Sequence, residues 1–310
     1  MSYRLENNET LSFGLKRIIL ERIDKSIFDI SKEKGVASED IHDARKNFKK
    51  IRTVIRLVRS KLGNDLYQSE NSFYRDAGRT LSALRDSTVL IYTFDKLIEH
   101  LDYDYEKLDF SSFKDLLVNR HEQISISTSS TDGTISTLSA ELILARSRIF
   151  DYPFSGDSFK LIFYDLQRIY EKGQVQMRKV LEEAIKENVH EWRKRVKDLW
   201  YSMRILSNIW PEIMSPLVDM LGKLSDILGD ANDLFLLKQE ILTNEDKFES
   251  DFHTRELIVF IDKRLIDLLR EAKFIGRRIY SEKSSFFAGR MKNYFEIWRS
   301  EYKPLRYYYV

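Results

Sequence analysis

The chain has 310 residues, a formal net charge of +2, no cysteine and four prolines. That length holds a substantial core in one large or two ordinary domains. Disulfides, thiolate metal sites and thiol chemistry are excluded, and the near-neutral balance gives no global basic field for a nucleic-acid partner. The opening MSYRLENNETLSFGLKR lacks the apolar stretch of a secretion signal, and no segment approaches the run of about 20 apolar residues that spans a bilayer. A cytoplasmic protein with no membrane partner is the expectation.

Scarce proline and short strand-favouring runs predict an all-α protein. In the first half the periodicity predicts helices near 9–32, 38–62, 65–85, 87–100 and 110–122, with Gly35 and Gly63-Asn64 at the stops. The Ser/Thr-rich run 124–138 reads as the connection between halves, with Ile124 to Ile126 open to a short strand. After a break at Pro153 and Gly156, helices are predicted near 158–186, 189–209, 212–228, 230–242, 252–281 and 284–300, punctuated by Pro211 and Gly229. The halves, 1–150 and 151–310, are expected to bury their apolar stripes against each other as one compact helical unit or two abutting bundles.

The halves echo each other. Residues 41–56 read IHDARKNFKKIRTVIR and residues 189–204 read VHEWRKRVKDLWYSMR, so His42 and His190 stand 148 apart with an acid, Arg-Lys, Lys and a distal Arg in register. A second echo, LSALRD at 81–86 and LGDAND at 228–233, keeps nearly the same offset. An internal repeat of this length predicts a duplicated fold.

In the first copy Ile41, Ala44, Phe48, Ile51, Ile55, Val58 and Leu62 alternate spacings of three and four, an apolar seam for helix packing. One residue on, His42, Arg45, Lys49, Arg52, Arg56 and Arg59 repeat the spacing as a cationic stripe, widened by Lys46 and Lys50. From Arg45 to Arg59 the stripe covers about 21 Å. Like charges at these spacings repel and destabilise a helix, so the stripe needs acids from a neighbour or an external polyanion. The second seam is Val189, Trp192, Val196, Leu199, Met203, Leu206 and Trp210. Its stripe keeps His190, Arg193, Lys194, Lys197 and Arg204, but Asp198, Trp200 and Ser207 replace Lys50, Arg52 and Arg59. The first helix is therefore expected to carry most of any anion binding.

Asn188 with Glu191, and more loosely Asp40 with Asp43, resemble capping boxes that would put each histidine in a first turn beside free backbone N–H groups. The other reading makes each histidine structural, bonded to a carboxylate such as Asp86 or Asp233. Arg75 and Arg79 on the next helix extend the cationic set, and Lys172 and Arg178 are further candidates. Tyr74 and Tyr170 read equally as hydrogen-bond donors and as core.

The patterns His42/Arg45/Lys46/Lys49 and His190/Arg193/Lys194/Lys197, with NSFYRDAGRTLSALRD at 71–86, LQRIYEKGQVQMRK at 166–179 and LGDANDLFLL at 228–237, resemble the CHAD family, the conserved-histidine α-helical domain. The resemblance covers roughly residues 10–300. It implies two helical bundles related by a pseudo-two-fold axis and binding of inorganic polyphosphate by central basic residues. Some family members carry a triphosphatase domain with an E-x-E-x-K signature, which this sequence lacks. The expectation is a stand-alone, non-catalytic polyphosphate-binding module with no cofactor. Storage-granule targeting, phosphate sensing and scaffolding remain open as its purpose, and the oligomeric state is not legible.

Two metal readings compete. Glu39-x-x-His42 and Glu187-x-x-His190 match half of a di-iron carboxylate motif, but Arg45 and Lys46 would repel a cation within a turn. His42-Asp43 suggests a metal phosphohydrolase, which needs more histidines than His100, His121, His190 and His253 provide. Nucleic acid ranks behind polyphosphate because Phe48, Phe73, Trp192 and Phe235 fall on apolar faces, away from any base-stacking platform.

Overall fold

The apolar seams set the architecture. The computed structural model describes residues 2–31, 38–81, 86–99, 110, 111, 113–119, 132–244 and 252–301, and its regular elements are all helical. They are α1 (Leu11–Ile30), α2 (Ser38–Leu57), the single turn α3 (Arg59–Leu62), α4 (Asn64–Thr80), α5 (Asp86–Ile98), α6 (Asp132–Arg148), α7 (Phe163–Glu182), α8 (Lys186–Ile205), α9 (Pro211–Thr243), α10 (Phe252–Ile279) and α11 (Ser284–Glu301). Residues 113–119 are also helical. The expectations for 82–85, His100, His121 and 124–131 lie outside the described residues, as does the side chain of Asp86. Among the described residues no helix is long and apolar enough to cross a membrane.

Every seam residue of the first histidine helix, from Ile41 to Leu62, is buried. The seam packs α2 against α1 and α4, and the second seam packs α8 against α7 and α9. The two histidine helices also touch each other, and their bounds, 38–57 and 186–205, stand 148 apart at both ends. Buried apolar residues from Tyr3 to Trp298 form one continuous core. Each fully buried large apolar side chain contributes about 1.5–3 kcal/mol, so the buried residues of each seam together outweigh the charge repulsion in the stripe beside them.

Four expectations need correction. The predicted connection 124–138 overlaps α6, because Leu138, Leu142, Ala145 and Ile149 form a buried stripe at spacings of four, three and four. Gly229 ends no helix: α9 runs through it, with Leu221, Leu224, Leu228, Ala231, Leu234 and Leu237 buried on both sides. A helical glycine costs about 1 kcal/mol against alanine, less than burying a single one of those leucines. The helix predicted for 38–62 breaks at Val58, and α3 carries Arg59 onward. Trp210 leaves the second seam: α8 stops at Ile205, and the indole, 43% exposed, stands edge-on to Tyr294.

Trp192 lies wholly buried where α7, α8 and α10 meet. It fits because residue 276 is glycine: a Cβ there would stand 2.6 Å from Trp192 Cζ2 and 3.0 Å from Met177 Sδ. The indole is rigid and enclosed, so Gly276→Ala should destabilise the fold by about 1–3 kcal/mol despite the gain in helix propensity. A urea melt followed by circular dichroism checks this; unchanged stability would mean that the three helices can part.

Candidate functional site

The cationic stripes of α2 and α8 converge. Arg56 Nη1 meets Asp198 Oδ1 at 3.0 Å, and Lys50 faces Arg204, both standing over the Tyr3 ring at 5.4 and 5.6 Å from its centroid. Lys50 faces position 204 and Arg56 faces position 198, while Lys49 lies near both Arg193 and Lys197, so the two helices cross at one region of their length. Beside the crossing Lys49 stands within electrostatic reach of Arg45, Arg193 and Lys197, and Lys197 within reach of Arg193.

That cluster perturbs its lysines. Burial first, then repulsion by Arg45, Arg193, Arg52 and Lys46, lowers Lys49 from 10.5 to about 8. Lys49 nevertheless keeps solvent-accessible surface, so its ammonium is both wet and flanked by protein. Burial and then Arg193 and Lys49 bring Lys197 to about 7, against the partial relief of Asp226 and Asp233. Lys50 falls to about 8 through burial, Arg204 and Arg22. Arg52, brought to about 10 chiefly by burial and Arg56, donates from Nε to Asn71 Oδ1 at 3.1 Å.

The remaining predicted cations divide. Lys46 and Lys194 pair on their own helices with Asp43 and Glu191. Arg75 is bidentate to Asp76, which Arg79 shares at 3.3 Å. Arg75 is close enough to Arg52 to affect it, whereas the Arg79 side chain is 71% exposed. Arg59 stacks on Tyr67 with its guanidinium carbon 4.4 Å from the ring centroid. Tyr170 belongs to the core, donating to the Ile279 carbonyl at 2.7 Å, and Tyr74 is buried.

Neither histidine stands in a first turn. His42 and His190 are both fifth residues, since α2 begins at Ser38 and α8 at Lys186. The expected caps are therefore misplaced. Ile185 occupies the cap of α8 without a side-chain bond, and Asn188, inside the helix, donates to the Glu183 carbonyl at 2.9 Å. Only the first four N–H groups of a helix are free, so no amide site adjoins the imidazoles. His190 Nδ1 bonds Asn232 Oδ1 at 3.0 Å, and Asn232 Nδ2 donates to Asp233 Oδ1 at 3.2 Å. The carboxylate fixes the amide, so Nδ1 of His190 carries the hydrogen and Nε2 is left as an acceptor. Asp233, held above its usual value by burial, thus acts on the histidine through Asn232.

Gly229, within the second copy of the echo, has a packing use. A Cβ at Gly229 would stand 3.1 Å from Arg193 Nη2 and 3.2 Å from its Nε. The missing side chain lets the Arg193 guanidinium lie against the α9 backbone. Tyr3 and Arg22 were not expected at the site. Tyr3 donates to the Lys50 carbonyl at 3.1 Å, and Leu5 N–H donates to the Ile205 carbonyl at 2.9 Å, so residues 3–5 strap one end of the crossing. Arg22 is a buried cation on the apolar face of α1 beside Ile18, Ile19 and Ile23.

A family model described as CHAD domain matches residues 29–242. Among solved structures, the CHAD domain from the plant Ricinus communis is similar to this chain with a TM-score of 0.57 and 14% identity, covering 87% of this chain and 94% of that one. At that identity the likeness concerns the fold. A comparison with curated proteins finds no match.

The lysine shifts carry a stability consequence. In the unfolded chain these lysines hold their protons up to about 10.5, whereas in the fold Lys49 and Lys197 release them at about 8 and 7. The unfolded state binds more protons between those values, so the fold gains stability as pH rises through that window. Lys49→Gln and Lys197→Gln should each raise the melting temperature by about 1–3 °C at pH 6.5, and the gain should vanish near pH 10.5. Differential scanning calorimetry across that range is the check; a loss of stability at pH 6.5 would show that the lysines have acidic partners.

Proposed function

This chain belongs to the CHAD family, and we propose that it is a non-catalytic module binding inorganic polyphosphate along the furrow between α2 and α8. The ligand-facing set is His42, Arg45, Lys49, Lys50, Arg52, Arg56, Arg59, His190, Arg193, Lys197 and Arg204, with Lys46, Lys194, Arg75 and Arg79 at the rim. We also infer that the two halves are a duplicated unit. The reciprocal facing of Arg56 with Asp198 and Arg204 with Lys50, each pair displaced by 148, supports that inference.

The observation that carries the reading is the gathering of Arg45, Lys49, Arg193 and Lys197, where burial first and then repulsion among the cations lower both lysines. Asp226 and Asp233 give Lys197 partial relief, but no ion pair to Lys49 or Lys197 is seen among the described residues. A polymeric anion relieves the repulsion along the whole furrow, releasing counterions as it does. Phe48 and Trp192 on the same helices are fully buried, which removes them as base-stacking platforms and favours an unadorned phosphate chain over single-stranded nucleic acid.

Calorimetric titration with polyphosphates of graded length, pyrophosphate, ATP and RNA tests this. Long chains should bind at least about a hundredfold more tightly than pyrophosphate, and salt should weaken them steeply. Reversing Arg45, Lys49, Arg193 and Lys197 to Glu should abolish binding while circular dichroism shows an intact fold. Equal affinity for pyrophosphate and a long chain, or tighter binding of RNA, contradicts the reading.

Asp198 modifies the earlier expectation that the first helix dominates. It neutralises Arg56 of α2, and its other oxygen accepts from Arg195 at 3.1 Å. Asp198→Asn should tighten polyphosphate binding about two- to fivefold while lowering stability by about 1–3 kcal/mol, because two partly buried arginines lose their acid. Weaker binding in that variant would mean that Asp198 positions Arg56 for the ligand.

A further inference from the structure

The Arg59 end of the furrow closes into a small pocket between α3, α7 and α8, with a cavity volume of about 40 Å³. Five cations line it, Arg56, Arg59, Arg168, Lys172 and Arg195, against two acids, Asp165 and Asp198. The acids are already engaged. Asp198 holds Arg56 and Arg195. Asp165 is buried, accepting from Ser60 N–H at 2.7 Å and from Arg168 at 3.2 Å. Arg59, fixed over Tyr67, and Lys172, for which no ion pair is seen among the described residues, remain as surplus positive charge.

The size is selective. A single water needs roughly 10–15 Å³ of such space, so this pocket holds about three waters or one phosphoryl group. It cannot admit a nucleoside or a folded length of chain. A bridging phosphate of a polymer carries one negative charge, whereas a terminal phosphate carries up to two and offers three free oxygens to surrounding donors.

We propose that this pocket, built from Arg59 and Lys172 with Arg168 and Arg195 on its walls, captures the terminal phosphate of a linear polyphosphate whose body lies in the furrow. This rests on the polyphosphate reading above and adds to it a preference for free chain ends. Arg168, Lys172 and Arg195 are thereby assigned to ligand recognition.

Linear and cyclic phosphates separate an end from a body, because a ring has no terminal group. The experiment titrates wild type, Arg59→Gln with Lys172→Gln, and Lys49→Gln with Lys197→Gln, using tripolyphosphate against trimetaphosphate and tetrapolyphosphate against tetrametaphosphate. Wild type should favour the linear member by about tenfold or more. The pocket variant should cut that ratio at least fivefold, while the furrow variant should weaken both forms and leave the ratio in place. Lys172→Gln alone, at an exposed side chain, should lower the ratio about threefold and keeps the test valid if the Arg59 change disturbs folding. An unchanged ratio in Lys172→Gln and the double variant, with long polyphosphate still bound, overturns the end pocket only. No binding of long polyphosphate by wild type overturns both readings.

Discussion

Two cationic helix faces are pressed together, and the rest of the molecule is arranged to hold them there. At an effective dielectric of 20, two unit charges 6 Å apart repel by about 3 kcal/mol, and this crossing gathers at least four. The opposing force comes from beside the stripes on the same helices, where the seams from Ile41 to Leu62 and from Val189 to Leu206 are buried. Burial of the lysines themselves, reinforced by the neighbouring cations, lowers Lys49 to about 8 and Lys197 to about 7. On the proposed function, a polyanion would enter such a site without first breaking internal ion pairs of Lys49 or Lys197.

The ends of the crossing differ, and one substitution at the repeat offset accounts for much of the difference. Lys50 and Asp198 occupy matching positions, as do Arg56 and Arg204. At one end Arg56 therefore meets a carboxylate, while at the other Arg204 meets a lysine, the Tyr3 ring and nearby Arg22. The strap at residues 3–5 covers the lysine end, and the pocket beside Arg59 closes the carboxylate end. A long chain bound along the crossing, as proposed, would meet two unlike termini, which would give the site a direction despite the repeated sequence.

Much of this was legible in the sequence. The three-four spacing of apolar residues placed both histidine helices and the seams that bury them, and the stripe one residue along marked the cations that converge. The failures have local physical causes. Gly229 looked like a stop because glycine is a poor helix former, but its use is to admit Arg193, a contact between helices that no linear pattern encodes. Asn188 looked like a cap because its partner Glu191 has the right spacing, yet the helix begins two residues earlier and Asn188 turns back to Glu183. Arg22 was the missed signal: a cation at a seam position of α1, four residues after Ile18, has to face something inside. Asn232 sits within the LGDAND echo beside the aspartate first considered as the histidine's partner, and only the fold shows that the amide intervenes.

The central claim is that burial, reinforced by neighbouring cations, leaves Lys49, Lys50 and Lys197 partly discharged at pH 8, and that a phosphate polymer recharges them. Proton linkage measures this directly. Calorimetric titration of long-chain polyphosphate into the protein at pH 8, repeated in buffers of different ionisation enthalpy, gives the number of protons exchanged on binding. With the free lysines near 7 to 8, binding should take up about one to two protons per furrow, and Lys49→Gln with Lys197→Gln should remove most of that uptake. Binding with no uptake, or with proton release, would contradict the account, because the cluster would then be fully charged before the ligand arrives.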